Sequence, residues 1–120
     1  MTQAASQASA FYEEVASSRR VFTVLDSGSF LVFRVREIEV VPFWSSQARV
    51  QRVQRNHAKY RAFECDESDL ERFLGTTLPD LENEAVHVGV NWSGRKLTGY
   101  DVAVADLRNN LAYWLDKLAR

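Results

Sequence analysis

Residues 86–92, Val-His-Val-Gly-Val-Asn-Trp, constrain the fold of this chain more than any other stretch. Val86, Val88, Val90 and Trp92 alternate with His87, Gly89 and Asn91, the two-residue period of a strand that buries one face. On this reading the valines and Trp92 belong to the core. The opposite face carries an imidazole, a glycine that leaves room for close approach, and an amide. Ser-Gly-Arg-Lys at 93–96 then offers a turn into a partner strand over residues 97–100. The expectation is a central hairpin over 86–101, with the candidate site on its polar face and turn.

The rest of the chain alternates between helical and extended patterns. Ala8, Phe11, Tyr12 and Val15 recur at helical spacing and predict a helix over 4–18 that ends at Arg19 and Arg20. Residues 21–25, Val-Phe-Thr-Val-Leu, are apolar on both faces and read as a strand covered on both sides. Asp26 to Ser29 make a turn, and 30–36 is the returning strand, with Leu31, Phe33 and Val35 facing one way and Phe30, Val32, Arg34 and Arg36 the other. Residues 40–44 form a third strand, which Pro42, lacking a ladder donor, places at an edge or a strand end.

Ser45 or Ser46 can cap a helix that runs to Asn56, with Ala48, Val50 and Val53 inward and Arg49, Arg52 and Arg55 outward. Residues 60–65 read as a strand. Ser68-Asp69-Leu70-Glu71 has the form of a capping box for a helix over 69–74 that Gly75 stops, with one more helical turn within 76–84. Val104, Leu107, Leu111, Trp114, Leu115 and Leu118 mark a final amphipathic helix, with Asp101 or Asp106 at its positive end. The expected architecture is one α+β domain over residues 1–120, a mixed or mostly antiparallel sheet of about five to six strands packed with about three to four helices.

Charge narrows the partners. Lys and Arg total 15 against 16 Asp and Glu, so no overall field draws the protein to nucleic acid or to an anionic membrane. A hydrophobic share of 46% and a charged share of 26% suit an ordinary globular core. No apolar run approaches the roughly 20 residues of a membrane span, and the N-terminal residues lack the basic flank and apolar run of a signal peptide. The expected location is the cytoplasm. With Cys65 as the single cysteine, neither an intrachain disulfide nor a CxxC zinc site can form, and no cofactor is expected.

Several residues could carry chemistry, and each has a plainer reading. His87 is a base or ligand useful near neutral pH, or a solvated imidazole on a strand's polar face. His57 stands at a helix end without a spaced metal-binding companion. Cys65 is a nucleophile or a small core hydrophobe. Gly94 and Gly99 bracket Arg-Lys-Leu-Thr without the spacing of a Walker loop or a dinucleotide fingerprint, and no serine sits in a Gly-x-Ser-x-Gly elbow. Arg49, Arg52 and Arg55, with Lys59 and Arg61 beyond, are a solvated helix face or a contact for phosphate or an acidic partner. Trp44, Trp92 and Tyr100 are sheet core, or aromatics of the kind enriched at interfaces.

These residues also carry a family likeness. The runs Leu-Glu-Arg-Phe-Leu at 70–74, Leu-Pro-Asp-Leu-Glu at 78–82, Val-His-Val-Gly-Val-Asn-Trp-Ser-Gly at 86–94 and Gly-Tyr-Asp at 99–101 resemble a bacterial domain-of-unknown-function family, the one numbered 2750. Arg19-Arg20-Val21-Phe22 and Pro42-Phe43-Trp44-Ser45-Ser46 fit it as well, so the likeness extends from Phe11 to Leu111. This chain departs from it at Thr77, where members often have tryptophan before the Leu-Pro. The resemblance implies a small cytoplasmic bacterial protein and a shared fold, and it implies no activity, cofactor or catalytic residue.

The leading expectation is a non-enzymatic protein-binding module of adaptor, regulatory or immunity type. Its contact surface would comprise Trp44, His87, Asn91, Ser93, Arg95, Lys96 and Tyr100, with another protein as partner and a homo-oligomer as an option. One alternative is a small-ligand protein or enzyme using His87 and Asn91 with Asp101. Another is weak nucleic-acid binding through Arg49, Arg52 and Arg55.

Overall fold

The structure, a computed structural model, describes residues 2–120. Helix α1 (Gln3–Ser18) starts at Thr2, whose hydroxyl accepts the Ala5 N–H at 3.1 Å, and buries Phe11, Tyr12 and Val15. It ends at Arg19, which takes the left-handed conformation, φ 59°, and closes its N–H on the Val15 carbonyl. Strand β1 (Arg20–Asp26) follows. Val21 packs into one hydrophobic cluster and Phe22 and Val24 into another, as a strand covered on both faces should.

The expected returning strand over 30–36 is divided. Strand β2 (Ser29–Phe30) pairs antiparallel with β1, whereas β3 (Phe33–Val35) pairs with β4 (Ile38–Phe43). The ladder partner changes at Leu31 and Val32, but the facing pattern survives: Leu31, Phe33 and Val35 pack on a core cluster while Val32 and Arg34 stay exposed. Hydrophobic alternation therefore reports faces correctly and says nothing of which strand lies alongside.

The strands form two sheets, one ordered β2-β1-β5 with β5 at Glu64–Asp69, the other ordered β3-β4-β6-β7 with β6 at His87–Val90 and β7 at Asp101–Val102, where a single sheet is the sequence expectation. They meet where Phe22 and Trp44 exchange both backbone hydrogen bonds, at 2.8 and 2.7 Å. Strand β4 is internal, with β3 on one side and β6 (His87–Val90) parallel on the other, so Pro42 does not mark an edge. Proline is tolerated because pairing with β3 ends at Val40 and β1 meets the chain only at Trp44, so no neighbour requires its missing N–H. The Pro42 carbonyl accepts the hydroxyl of buried Thr23 at 2.7 Å instead.

Helix α2 (Gln47–Asn56) is capped by Ser46, whose hydroxyl accepts the Arg49 N–H at 3.2 Å. A single 3-10 turn, Ala58–Tyr60, leads to β5 (Glu64–Asp69), so the strand expected over 60–65 begins at Glu64. It runs antiparallel to β1 along its whole length, with Ser68 opposite Val21. That pairing places the presumed cap serine inside a strand. Asp69 is the true cap, accepting the Arg72 N–H at 2.7 Å, and Glu71 is bound to Arg19 instead of reaching back.

Gly75 does not stop the helix that follows. Helix α3 (Leu70–Arg72) passes through a wide π-type turn, Phe73–Thr77, into α4 (Leu78–Asn83), with the Leu78 N–H donating to the Phe73 carbonyl. Pro79 accounts for the widening, because in a regular helix its ring would press on the carbonyl four residues back, which belongs to Gly75.

Strand β7 (Asp101–Val102), and not residues 97–100, is the antiparallel partner of β6, and a lone bridge between Ser93 and Thr98 closes the hairpin above it. Helix α5 (Val104–Ala119) then lies across α1, burying Val104, Leu107 and Leu111, with Trp114 and Leu115 half-buried and Leu118 exposed. Ala103 precedes it without a side-chain cap; Asp106 sits in its first turn, and Asp101 belongs to β7. Helices α1, α4 and α5 cover one face of the β4–β6 pair through Val41, Phe43, Val86, Val88 and Val90. Helix α2 covers the other through Val50 and Val53 against Trp44. The class is α+β.

Candidate functional site

The valines of β6 face the first cluster as their alternation predicts, but Trp92 does not join them. The reason is Asn91, whose φ of 52° is left-handed. Asparagine tolerates this conformation better than most residues, and a single such residue resets the two-residue alternation. The Trp92 ring therefore folds back over Gly89 on the opposite face. A Cβ at Gly89 would lie 2.6 Å from Trp92 Cε2 and 2.7 Å from Nε1, and one at Gly99 would lie 2.6 Å from Cδ1. The space that Gly89 leaves is filled by the chain's own indole. Its N–H donates to the Tyr100 carbonyl at 2.9 Å, and Phe33 meets the ring edge-on at 5.5 Å.

Asn91 itself is 1% exposed and fully hydrogen-bonded. Its Oδ1 accepts the Ser45 N–H at 2.9 Å, and its Nδ2 donates to the Gln7 carbonyl at 3.2 Å and to Ser45 Oγ at 3.0 Å. The Ser45 hydroxyl donates in turn to Glu14 Oε1 at 2.6 Å. Arg49 grips the same carboxylate with Nε at 3.1 Å and Nη2 at 2.8 Å. One relay thus ties α1, the β4–α2 junction, α2 and the end of β6. The Arg49 guanidinium holds the Glu14 carboxyl below its ordinary pKa; partial burial works against this and the Ser45 hydroxyl assists it. Arg49 accordingly leaves the solvated basic row expected from α2, and Ala48, expected inward, is exposed.

Above the relay a cleft of about 360 Å³ opens between α1 and α2. Trp44, Asn91 and Trp92 contribute to its floor, Gln3 and Gln7 to one wall, and Arg49, Arg52 and His57 to the other. Ser93 and Gly94 close one end. The Gln7 amide donates to the Ser93 hydroxyl, and His57 donates through Nε2 to the Gly94 carbonyl at 2.9 Å. Trp44 is 1% exposed and donates its indole N–H to the Trp92 carbonyl at 2.8 Å, so the tryptophans form the bed of the cleft and not a projecting edge.

The structure thus gathers Trp44, Asn91 and Ser93 with Arg49, Arg52 and His57, residues that sequence reasoning divides among separate hypotheses. It leaves others outside. Arg95 and Lys96 are exposed on the turn beyond Gly94. Tyr100 is exposed beside Tyr113 and Trp114 at a different, shallower depression. His87 bonds Asp101 through Nδ1 at 2.9 Å, and Arg36 meets the same carboxylate at 3.3 Å, so His87 does not share a site with Asn91. Arg55 lines a shallow groove with Arg61, which donates to its carbonyl at 3.0 Å. Burial, with Asp66 and Glu67 nearby, pushes the Cys65 thiol pKa up, the opposite of an activated nucleophile. Among the described residues no group of three His, Cys, Asp or Glu side chains is placed to hold a metal ion.

Gln7, Glu14 and Ser45 had no signal as site residues in the sequence. Glu14 and Arg49 stand 35 residues apart, and Gln7 and Asn91 stand 84 apart, so no spacing rule relates them.

A family model described as protein of unknown function (DUF2750) matches residues 8–111 of the 120-residue chain. The chain belongs to that family. The matched span contains Glu14, Ser45, Arg49 and Asn91, hence the side chains of the relay, while Gln3 and Gln7 lie just ahead of it. No curated protein matches the chain. No described helix is long and apolar enough to cross a membrane.

Proposed function

We propose that this DUF2750 domain is a non-enzymatic binding module that captures a small polar ligand in the cleft between α1 and α2. The observation that carries the reading is the relay from Gln7 through Asn91, Ser45 and Glu14 to Arg49, which gives the polar groups beneath the cleft fixed partners before any ligand arrives. Such preorganisation lowers the ordering cost of binding. The volume of about 360 Å³ falls in the range of small-molecule sites. The enzyme alternative combines His87 and Asn91 with Asp101; His87 does pair with Asp101, but Asn91 is buried in the relay with Ser45 and Gln7, apart from them.

Protein recognition is the second reading, and its supporting observation lies on another face. Tyr100 and Tyr113 are exposed beside half-buried Trp114, an aromatic surface of the kind that favours a protein partner or a second copy of the chain. A regulatory role in the bacterial cytoplasm, where Cys65 would stay reduced, is the proposed setting for either reading.

Screening a fragment mixture by NMR on labelled protein separates the two. Fragments should shift the indole N–H signals of Trp44 and Trp92 and the Asn91 side-chain amide. Shifts confined to Tyr100, Tyr113 and Trp114 would reject the cleft in favour of the aromatic face.

A further inference from the structure

We infer that the ligand of this cleft carries an oxyanion, a carboxylate or a phosphate, on a small body; the inference rests on the cleft being the binding site. Charge is sorted around it. The chain has 16 acidic and 15 basic residues, yet the cleft is lined by Arg49, Arg52 and His57 with no carboxylate among the described residues that form it. Glu14, the acid nearest in the network, lines a separate depression with Ser45 and Ser46. Arg49 turns Nε and Nη2 toward that acid and is largely neutralised by it.

Arg52 differs from Arg49. Among the described residues its side chain has neither an ion-pair partner nor a hydrogen-bond partner, and it stands at the wall of a concavity, where low-dielectric surroundings focus its field. A guanidinium offers paired N–H groups that match the two oxygens of a carboxylate or phosphate. Gln3 adds an amide donor, already 3.4 Å from Ser93 Oγ and loosely held there. Beneath them Trp44 and Trp92, 1% and 3% exposed, close the floor with little open aromatic surface. The arrangement is cationic at one wall and amide-bearing at the other. It suits a compact molecule with an anionic head. The space of about 360 Å³ matches a small molecule. Arg55, Lys59 and Arg61, which a nucleic-acid surface would recruit, lie outside it.

The test titrates the full chain with benzoate, phenyl phosphate and the neutral isostere benzamide, at low and at physiological salt, reading the Trp44 and Trp92 indole N–H signals. At least one anion should bind roughly tenfold or more tighter than benzamide and weaken as salt rises. The tighter of the two anions identifies the head group. Arg52 is exposed and makes no contact the fold needs, so Arg52→Gln should keep the native melting temperature while lowering anion affinity about tenfold, and Arg52→Lys should restore part of it. Benzamide binding as tightly as both anions, or full anion affinity in Arg52→Gln, would overturn the oxyanion inference and leave the cleft as a site for neutral ligands. Failure of every probe to move either indole would overturn both the inference and the reading beneath it.

Discussion

Replacing Gly89 by alanine tests the feature on which the cleft floor depends. In an ordinary strand the change should stabilise, because glycine carries an entropic cost of about 0.5–1 kcal/mol relative to alanine. Here the new methyl would sit 2.6, 2.7 and 2.9 Å from three atoms of the Trp92 indole, well inside van der Waals contact at about 3.5–4.0 Å. The indole cannot yield freely. It is 3% exposed, Gly99 closes on the adjoining Cδ1, and its N–H is fixed to the Tyr100 carbonyl at 2.9 Å. Overpacking costs about 1–3 kcal/mol and stranding a buried donor about the same, so the net expectation is a loss of about 2–4 kcal/mol. Urea unfolding followed by tryptophan fluorescence measures it, with unchanged slope as the check that the denatured state is unaffected. Trp92→Leu removes the colliding atoms, and in that background Gly89→Ala should cost less than about 0.5 kcal/mol, a coupling well above ordinary additivity error. Native stability in the single variant, or an equal penalty in both backgrounds, would refute the assignment of Trp92 to the Gly89 face.

Two further perturbations probe the relay. Asn91→Ala leaves the buried Ser45 N–H without its acceptor and should destabilise by about 2–4 kcal/mol, whereas Asn91→Gly loses the same hydrogen bonds but relieves the left-handed backbone and should be milder by about 1 kcal/mol; equal losses in chemical denaturation would show that the φ of 52° is unstrained. Glu14 has its pKa lowered in the folded state below the usual 4.5, chiefly by Arg49, so its contribution is present at neutral pH and disappears as pH falls through the folded value. Glu14→Gln should therefore be less stable than the native chain above about pH 5 and converge with it in acid, and a stability gap independent of pH would contradict the ion pair.

Local patterns carried much of this. The valines of β6, the stripe of Val104, Leu107 and Leu111 on α5, and the two-sided burial of β1 follow from side-chain periodicity, which depends only on neighbours a few residues away. Even the divided strand kept its inward Leu31, Phe33 and Val35. Punctuation was less dependable. Ser68 and Gly75 have the residue types of a cap and a stop, yet a strand partner claimed Ser68, and Gly75 entered a helix that widened ahead of Pro79.

The sequence by itself determined the α+β class, most of the faces that become core and a serine cap for α2, which the structure assigns to Ser46 over Ser45, since each rests on short-range geometry. Only the tertiary structure decided where Trp92 lies, because one backbone angle at Asn91 turns it to the other face of the sheet. Only tertiary packing, too, joined Gln7, Glu14, Ser45, Arg49 and Asn91. Their hydrogen bonds depend on α1 and α2 meeting at the end of β6, a long-range coincidence that no single stretch of sequence encodes.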